Sequence, residues 1–437
     1  MQRREQVSHI LKMNFGFDEF RTGQREVIES VLDKRDTLAV MPTGSGKSIC
    51  YQIPALYFGR VCLVISPLIA LMQDQVRSLL KRKIPSGCLH SGLSHLERHR
   101  VMNAARNSRQ FVLFVSPERL AQGAFVEYLE TLQIKFVVVD EAHCIVEWGV
   151  DFRPEYQRLH LFKEKLNLPV LALTASATPK MRKEIARHLK LLRPNQLCFG
   201  FFRPNLFYQV QSCADFEAKM FITAHAVEKN TEGRILVYCA TRLQCEAVAR
   251  RLQTKFSGVD FYHAGLSSSQ RFEIQAQMNS YQLKVLCCTC AFGMGIDYPD
   301  VRLVIHFEVP TSLEELYQET GRAGRDQHPA LALTLYSDRD LQMKLSQVSL
   351  QGQKSFETAR EKLRRLKCLN ELIRYLRREA CRHLMMSEYF GDKNSFQSLR
   401  NCGVCDFCSG TQDSLSFLQI CDQSLRNRLR KLPQLRR

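Results

Sequence analysis

A chain of 437 residues, 45% hydrophobic and 24% charged, has the make-up of a globular protein long enough for about three domains. No apolar run approaches the ~18 residues of a membrane span, and Met1-Gln2-Arg3-Arg4-Glu5-Gln6 leads into no signal-peptide core, so secretion and a membrane partner are excluded from the expectation. The 62 Lys and Arg against 44 Asp and Glu, a formal net charge of +18, bias the surface toward a polyanion, with nucleic acid the leading candidate.

Thr37-Leu38-Ala39-Val40 reads as a short apolar strand. It runs into Met41-Pro42-Thr43-Gly44-Ser45-Gly46-Lys47-Ser48, and Ser48 opens an apolar-periodic, helical stretch. A phosphate loop wants glycine at the first of these positions, where this chain has Met41, but the Gly44-x-Gly46-Lys47-Ser48 core keeps the needed chemistry. Gly44 and Gly46 let backbone N–H groups, with those of Thr43 and Ser45, turn toward phosphate oxygens; Lys47 reaches the terminal phosphates and Ser48 is placed to hold Mg²⁺. Further apolar runs follow at 61–65, 111–115, 136–139 and 170–173, without the polar alternation of a half-exposed strand. They imply a parallel sheet wrapped by helices. The run at 136–139 delivers Asp140-Glu141-Ala142-His143, in which Asp140 can hold the Mg²⁺ water shell while Glu141 activates the attacking water. Either motif alone is common in structural turns. Both in their strand-end settings make a nucleoside-triphosphate engine.

The pattern restarts after Pro204, with runs at 235–238, 285–289, 303–307 and 331–335, so a second α/β lobe follows the first. Cys287, Cys288 and Cys290 lie on one of these runs and read as small buried hydrophobes. Gln318-Glu319-Thr320-Gly321-Arg322-Ala323-Gly324-Arg325 then spaces two arginines by small residues. If the lobes close over nucleotide held by the first, Arg325 serves as an arginine finger and Arg322 as a second phosphate contact. Residues 357–379 place Leu363, Leu366, Ile373 and Leu376 at helical spacing among many Arg and Lys, an amphipathic helix with a basic face that is either solvated or DNA-contacting. Cys402-x-x-Cys405-x-x-Cys408, with Cys381 upstream, supplies four thiols for tetrahedral Zn²⁺, and four protein ligands leave no open position for catalysis. Seventeen cysteines in a chain this large without a secretion signal fit reduced thiols and a metal site better than a disulfide scaffold. From Thr411 onward a basic tail carries Arg426, Arg428, Arg430, Lys431, Arg436 and Arg437, read as disordered or as an electrostatic arm.

With these motifs in place the chain resembles the RecQ family of superfamily 2 DNA helicases, from about residue 15 to residue 408. The resemblance implies an α/β fold of two tandem RecA-like parallel-sheet lobes followed by a small helical zinc-binding subdomain, bounded here at 1–202, 203–345 and 346–410, with 411–437 as the tail. Phe15-Gly16-Phe17 through Phe20-Arg21-Thr22-Gly23-Gln24 is similar to the family's adenine-recognition motif, which gives Phe17 a stacking role and Arg21 and Gln24 hydrogen bonds to the base. Ser66-Pro67 and Ser116-Pro117-Glu118-Arg119 resemble strand-tracking motifs, and Leu173-Thr174-Ala175-Ser176-Ala177 the motif linking hydrolysis to lobe movement. In the second lobe the resemblance gives Thr241, Arg242 and Thr289 to the tracked strand and Asp297 to nucleotide sensing. Cys381-Arg382-His383 and Tyr389-Phe390-Gly391-Asp392 are similar to the family's zinc subdomain, with His383 and Cys421 as replacement ligands to be weighed.

Departures from the family pattern sit close to the chemistry. The aromatic-rich loop keeps Trp148, Phe152 and Arg153 for coupling single-stranded DNA to hydrolysis, but Glu147 and Val150 stand where Gln and His are usual. Loss of an imidazole there predicts weaker stimulation of ATPase by DNA. Tyr298 and Asp300 replace Lys and Asn. Only 29 residues follow Cys408, too few for the winged-helix and small helical domains common in the family, which leads us to expect a short form.

The resulting expectation is an ATP-dependent 3′–5′ DNA helicase of recombination and repair that uses ATP, Mg²⁺ and Zn²⁺ on single-stranded and tailed duplex DNA. It would be monomeric when active, with repair or recombination proteins as partners, cytoplasmic and chromosome-associated in a bacterium or nuclear in a eukaryote. Two alternatives stand beside it. One is an RNA helicase of the Asp-Glu-Ala-His type, which Glu319 and the zinc cysteines oppose; the other is a zinc-bearing annealing or DNA-binding protein whose ATPase is only a switch.

Overall fold

The computed structural model describes residues 2–120, 123–147, 155, 159–230, 232–292, 298–351, 359–392 and 401–410. The described chain divides into two compact units, residues 2–201 with 390–392, and residues 202–389 with 401–410. No helix among the described residues is long and apolar enough to cross a membrane.

The first unit is built on seven strands: β1 Thr37–Val40, β2 Val61–Ile65, β3 Ser86–Leu89, β4 Phe111–Val115, β5 Ile134–Val139, β6 Val170–Thr174 and β7 Asn195–Cys198. They form one parallel sheet in the order β3-β4-β2-β5-β6-β1-β7. Every residue of β1, β2, β4 and β6 is buried, as an α/β sheet covered by crossover helices on both faces requires. The core under the helix Ile49–Phe58 includes Tyr51, Phe114 and Phe136, each at most 1% exposed, and burying each ring contributes about 2–3 kcal/mol. In register Val40 lies beside Thr174, and Val139 beside Ala172 and Ile65. The carboxyl ends of β1, β6, β5 and β2 therefore make one continuous edge, where open α/β sheets bind ligands.

The second unit repeats the plan with β8 Leu206–Ser212, β9 Arg234–Tyr238, β10 Val259–Tyr262, β11 Val285–Cys288, β12 Val301–His306 and β13 Ala330–Tyr336, parallel in the order β10-β11-β9-β12-β13-β8. Its helices start on side-chain caps: Asp215 accepts from Ala218 N, Thr241 from Gln244 N, Ser267 from Gln270 N and Ser312 from Glu315 N. Two parallel-sheet lobes followed by a cysteine cluster match the expected fold class.

Four strands escape the apolar-run reading: β3, β7, β8 and β10, the two edges of each sheet. An edge strand pairs on one side only and keeps polar side chains. Ser86-Gly87-Cys88-Leu89, Asn195-Gln196-Leu197-Cys198 and Val259-Asp260-Phe261-Tyr262 show that mixture.

Two expectations about burial are corrected. In the helix Ala359–Arg377 the buried seam is Leu369, Leu372, Tyr375 and Leu376, while Leu363 is 53% exposed and Leu366 and Ile373 only flank the seam. At 100° per residue Leu363 falls opposite that seam, so one of the four apolar positions lies on the basic face. Cys287 and Cys288 are buried, but Cys290 lies past the end of β11 and is exposed.

The departures at Tyr298 and Asp300 are accounted for by a cluster at the start of β9. The buried Arg234 guanidinium lies 3.8 Å from the Tyr281 ring centroid and 4.6 Å from that of Tyr298, pairs with Asp300, and donates to Met278 O at 3.0 and 2.8 Å. Cation–π contact and carboxylate together hold a charge that burial alone would penalise.

Candidate nucleotide site and metal centre

Beyond β1 the chain turns through Gly44 and Gly46, both at φ +77°, the left-handed region that glycine enters without strain. A Cβ on Gly46 would lie 2.6 Å from Gln24 Nε2. That close approach has a purpose: Gln24 Nε2–H donates to Ser45 O at 2.8 Å and Gly46 O at 3.1 Å, and its Oε1 accepts from Arg21 N at 2.9 Å. The Arg21 guanidinium donates to Gly44 O. Arg21 and Gln24 are thus gathered onto the phosphate loop, whereas Phe17 is 48% exposed. Lys47 Nζ donates to Met41 O at 3.3 Å and Pro42 O at 3.5 Å, and Ser45 Oγ to Pro42 O at 2.7 Å. Thr43 lies in the same turn, and Ser48 stands at the start of the helix Ile49–Phe58 without a side-chain capping bond; that N-terminus favours anions. Met41 is fully buried, bonds through its amide to Thr174 O at 3.0 Å, and takes the Cys50 thiol against its sulfur at 3.7 Å. The position extends β1 into the core, which is why an apolar residue serves there.

Asp140 leaves β5 with its amide on Ile65 O at 2.8 Å. Its Oδ1 accepts from Glu141 N at 3.0 Å, and Glu141 sits at φ +48°, a conformation that costs a non-glycine residue about 1 kcal/mol or more. Burial, then the neighbouring Glu141 charge, pushes the Asp140 carboxyl up to about 7, with Lys47 opposing. His143 Nδ1 lies 2.8 Å from Thr174 Oγ1 and 3.3 Å from Glu141 Oε2. The Thr174 hydroxyl also lies 3.2 Å from Ser176 O. Phosphate loop, acidic pair and Thr174-Ala175-Ser176 thus meet at the ends of β1, β5 and the β6 strand between them. A buried carboxyl disfavoured as an anion beside a second one fits a divalent cation, whose charge would reverse the penalty, and Asp140 with Ser48 can hold Mg²⁺.

On the same edge of the first sheet Ser66 follows β2, bonds through its amide to Val115 O at 3.1 Å and is 2% exposed; Pro67 is buried beside it. In the second unit Thr241 and Arg242 are exposed after β9, and Thr289 is buried just after β11, the neighbouring strand. Trp148, Val150, Phe152, Arg153, Asp297 and the basic tail from residue 411 lie outside the described residues. Glu147 ends the short helix Cys144–Glu147.

The arginine turn of the second unit has partners that sequence reading missed. The Arg203 guanidinium donates to Gly321 O at 3.1 Å, Ala323 O at 2.6 Å and Gly324 O at 2.9 Å, and Asn205 Nδ2–H to Gly324 O at 2.8 Å. A polar pair interrupting Phe202 and Leu206 was the available signal. Glu319, whose carboxyl burial pushes up, meets His306 Nε2 at 2.8 Å, and the His306 ring stacks on Tyr238.

Cys381, Cys402, Cys405 and Cys408 place all four Sγ atoms within 4.8 Å of one another. Tetrahedral zinc with Zn–S near ~2.3 Å asks for S–S edges of about 3.8 Å, so the set fits with adjustments of up to about 1 Å. Cys381 is pulled well below the ordinary thiol range by hydrogen bonds from Cys402 and Cys405, which are pushed up in turn, the behaviour of thiols crowded around one cation position. The cluster is built into the second unit: Tyr208 of β8 bridges Cys405, Arg382 Nε donates to Asp406 Oδ1 at 2.9 Å, and Asp406 Oδ2 accepts from Val210 N at 2.9 Å. Burial holds His383 down to about 4, and its Nε2–H donates to Arg203 O at 3.2 Å. The four gathered thiols make a tetrahedral set without it. Cys421 lies outside the described residues.

Comparison with known proteins agrees along the chain. Residues 21–185 match the DEAD/DEAH box helicase family, 218–327 the helicase conserved C-terminal domain and 336–409 the RecQ zinc-binding family. The chain is 39% identical over 399 residues to the ATP-dependent DNA helicase RecQ of Pasteurella multocida, covering 91% of this chain and 61% of that protein. It is 41% identical over 356 residues to the probable ATP-dependent DNA helicase RecS of Bacillus subtilis, covering 81% and 71%. A crystal structure of the DUF1998 helicase MrfA bound to DNA and AMPPNP shares the fold, with a TM-score of 0.62 at 20% identity over 84% of this chain and 56% of that one. On these relatives, the ATP-dependent DNA helicase RecQ of Bacillus subtilis (36% identical over 406 residues, covering 92% of this chain and 67% of that protein) and the three consecutive matches, the chain belongs to the RecQ family of superfamily 2 helicases.

Proposed function

We propose that the protein is an ATP-dependent DNA helicase that translocates 3′ to 5′ along single-stranded DNA and unwinds duplex or branched DNA in recombination and repair. The observation that carries the reading is the meeting of phosphate loop, acidic pair and Thr174-Ala175-Ser176 at the ends of β1, β5 and β6, in a chain of this family. Phe17 stacks on adenine, while Arg21 and Gln24 exchange loop carbonyls for the base. Backbone N–H groups of residues 43–48 and the Lys47 ammonium take the phosphates. Magnesium at Ser48 and Asp140 would neutralise charge on them. Glu141 orients the attacking water and accepts its proton. His143, bonded to Glu141 and Thr174, couples that event to β6. Arg325 and Arg322 complete the charge stabilisation when the lobes close, and Asp297 senses nucleotide. Ser66, Pro67, Thr241, Arg242 and Thr289 hold the phosphates of the tracked strand, Trp148, Phe152 and Arg153 report its presence, and the zinc module is structural.

Single-stranded DNA is expected to raise ATP turnover where RNA of equal length does not; equal activation by both would contradict a DNA helicase. Gln24→Ala should raise KM for ATP about tenfold, the worth of roughly 1.4 kcal/mol of lost hydrogen bonding, with kcat less affected. Steady-state titration of ATP at saturating DNA reads this directly. Val150→His should increase stimulation by DNA several-fold, measured as the ratio of turnover with and without single strand; an unchanged ratio would remove Val150 from the coupling loop.

A further inference from the structure

We infer that Arg203 is a positioning residue for the catalytic turn, its guanidinium fixing the backbone of residues 321–324 from which Arg322 and Arg325 project; the inference rests on the role proposed above for those arginines. Arg203 is 7% exposed and Asn205 3%, so both are part of the interior beneath the turn. Gly321 follows the helix Leu313–Thr320, where a helix end leaves carbonyls without intrahelical donors. One planar guanidinium meets three consecutive-turn carbonyls, of Gly321, Ala323 and Gly324, at 3.1, 2.6 and 2.9 Å. A lysine ammonium offers no such fork.

The turn is held from its other side as well. Gly324 N donates to Val301 O at 2.9 Å, and Gly324 stands at φ +57°, with a Cβ there 2.6 Å from Asn205 Nδ2. Arg203 in turn has a fixed main chain: its carbonyl accepts from His383 Nε2 at 3.2 Å and from Leu206 N at 3.0 Å. The His383 ring meets the rings of Phe202 and Tyr208 edge-on, with centroids 5.1 and 4.8 Å away. The guanidinium thus ties this fixed segment to a buried turn of small residues, in which Ala323 is fully buried. An arginine finger is useful only where its charge arrives in register with the transferring phosphoryl group, and displacement by about 1 Å can cost about 100-fold in rate.

The test is ATP hydrolysis at saturating single-stranded DNA by Arg203→Ala, Arg325→Ala and the double variant, with zinc content and melting temperature measured alongside. Arg203→Ala is expected to lower kcat about 100-fold at unchanged KM and zinc content, with a melting transition that is lowered but still cooperative because three buried carbonyls lose their donor, and the double variant to be no slower than Arg325→Ala alone. Wild-type kcat in Arg203→Ala, or losses that multiply in the double variant, would overturn the positioning role while leaving the arginine finger standing. Full turnover in both Arg325→Ala and Arg322→Ala would overturn the role of the turn, and this inference with it. Should Arg203→Ala not fold, Arg203→Lys keeps charge and stem but not the fork; its kcat is again expected to fall, and wild-type kcat would overturn the inference.

Discussion

With Lys47 replaced by alanine, ATP turnover is expected to fall by about 10²–10³, the scale on which one preorganised charge contact to a transition state is worth. Lys47 Nζ rests on Met41 O and Pro42 O, both backbone atoms of the loop's own start, so the ammonium is held at the loop before any phosphate arrives. Its removal also takes away the cation that opposes the rise of the Asp140 carboxyl. Both effects weaken the same reaction, the first at the phosphates and the second at the cation site. The fold should survive, because the loop is anchored independently through Gln24, Arg21 and the buried Met41. Wild-type turnover in a folded Lys47→Ala protein would contradict the assignment of the nucleotide site.

Cys405→Ser should abolish zinc retention and destabilise the second unit by about 2–5 kcal/mol, since metal affinity at a structural site is folding free energy. Cys405 is fully buried, pairs with Tyr208 of β8, and precedes Asp406, which is held by Arg382 and bonded to Val210 N. Loss of the metal leaves three crowded thiols and a buried Arg–Asp pair on the edge of a sheet. Exposure of β8 should follow. Metal analysis and thermal melting of purified protein check this, and a metal-free Cys405→Ser protein that melts like wild type would show that zinc does not hold the module.

Sequence reading went furthest where one residue type carries a requirement by itself. The phosphate loop, Asp140-Glu141, the arginine turn and the four cysteines need particular groups at particular spacings, and the structure gathers the four thiols within 4.8 Å of one another. Central strands were legible for the same reason, since burial on both faces forces unbroken apolar runs. The edge strands were not, because a strand with one neighbour tolerates Ser86, Asn195 or Asp260. Leu363 shows the weakness of spacing alone: apolar residues at helical intervals mark a seam only where something packs against them. Arg203, Asn205 and His306 act through partners more than a hundred or about a dozen residues away, and no local pattern announces a side chain whose role is to satisfy distant carbonyls or a buried carboxylate. Arg21 and Gln24 were found by resemblance, yet their hold on the phosphate loop is visible only in three dimensions.

Strand displacement on tailed duplexes distinguishes a 3′–5′ DNA helicase from a DNA-stimulated switch. A duplex with a 3′ single-stranded tail and one with a 5′ tail, each given ATP and Mg²⁺, should separate the outcomes. Displacement is expected on the 3′-tailed duplex only, lost on omitting ATP; binding without displacement on either, or displacement from the 5′ tail alone, would contradict a 3′–5′ helicase.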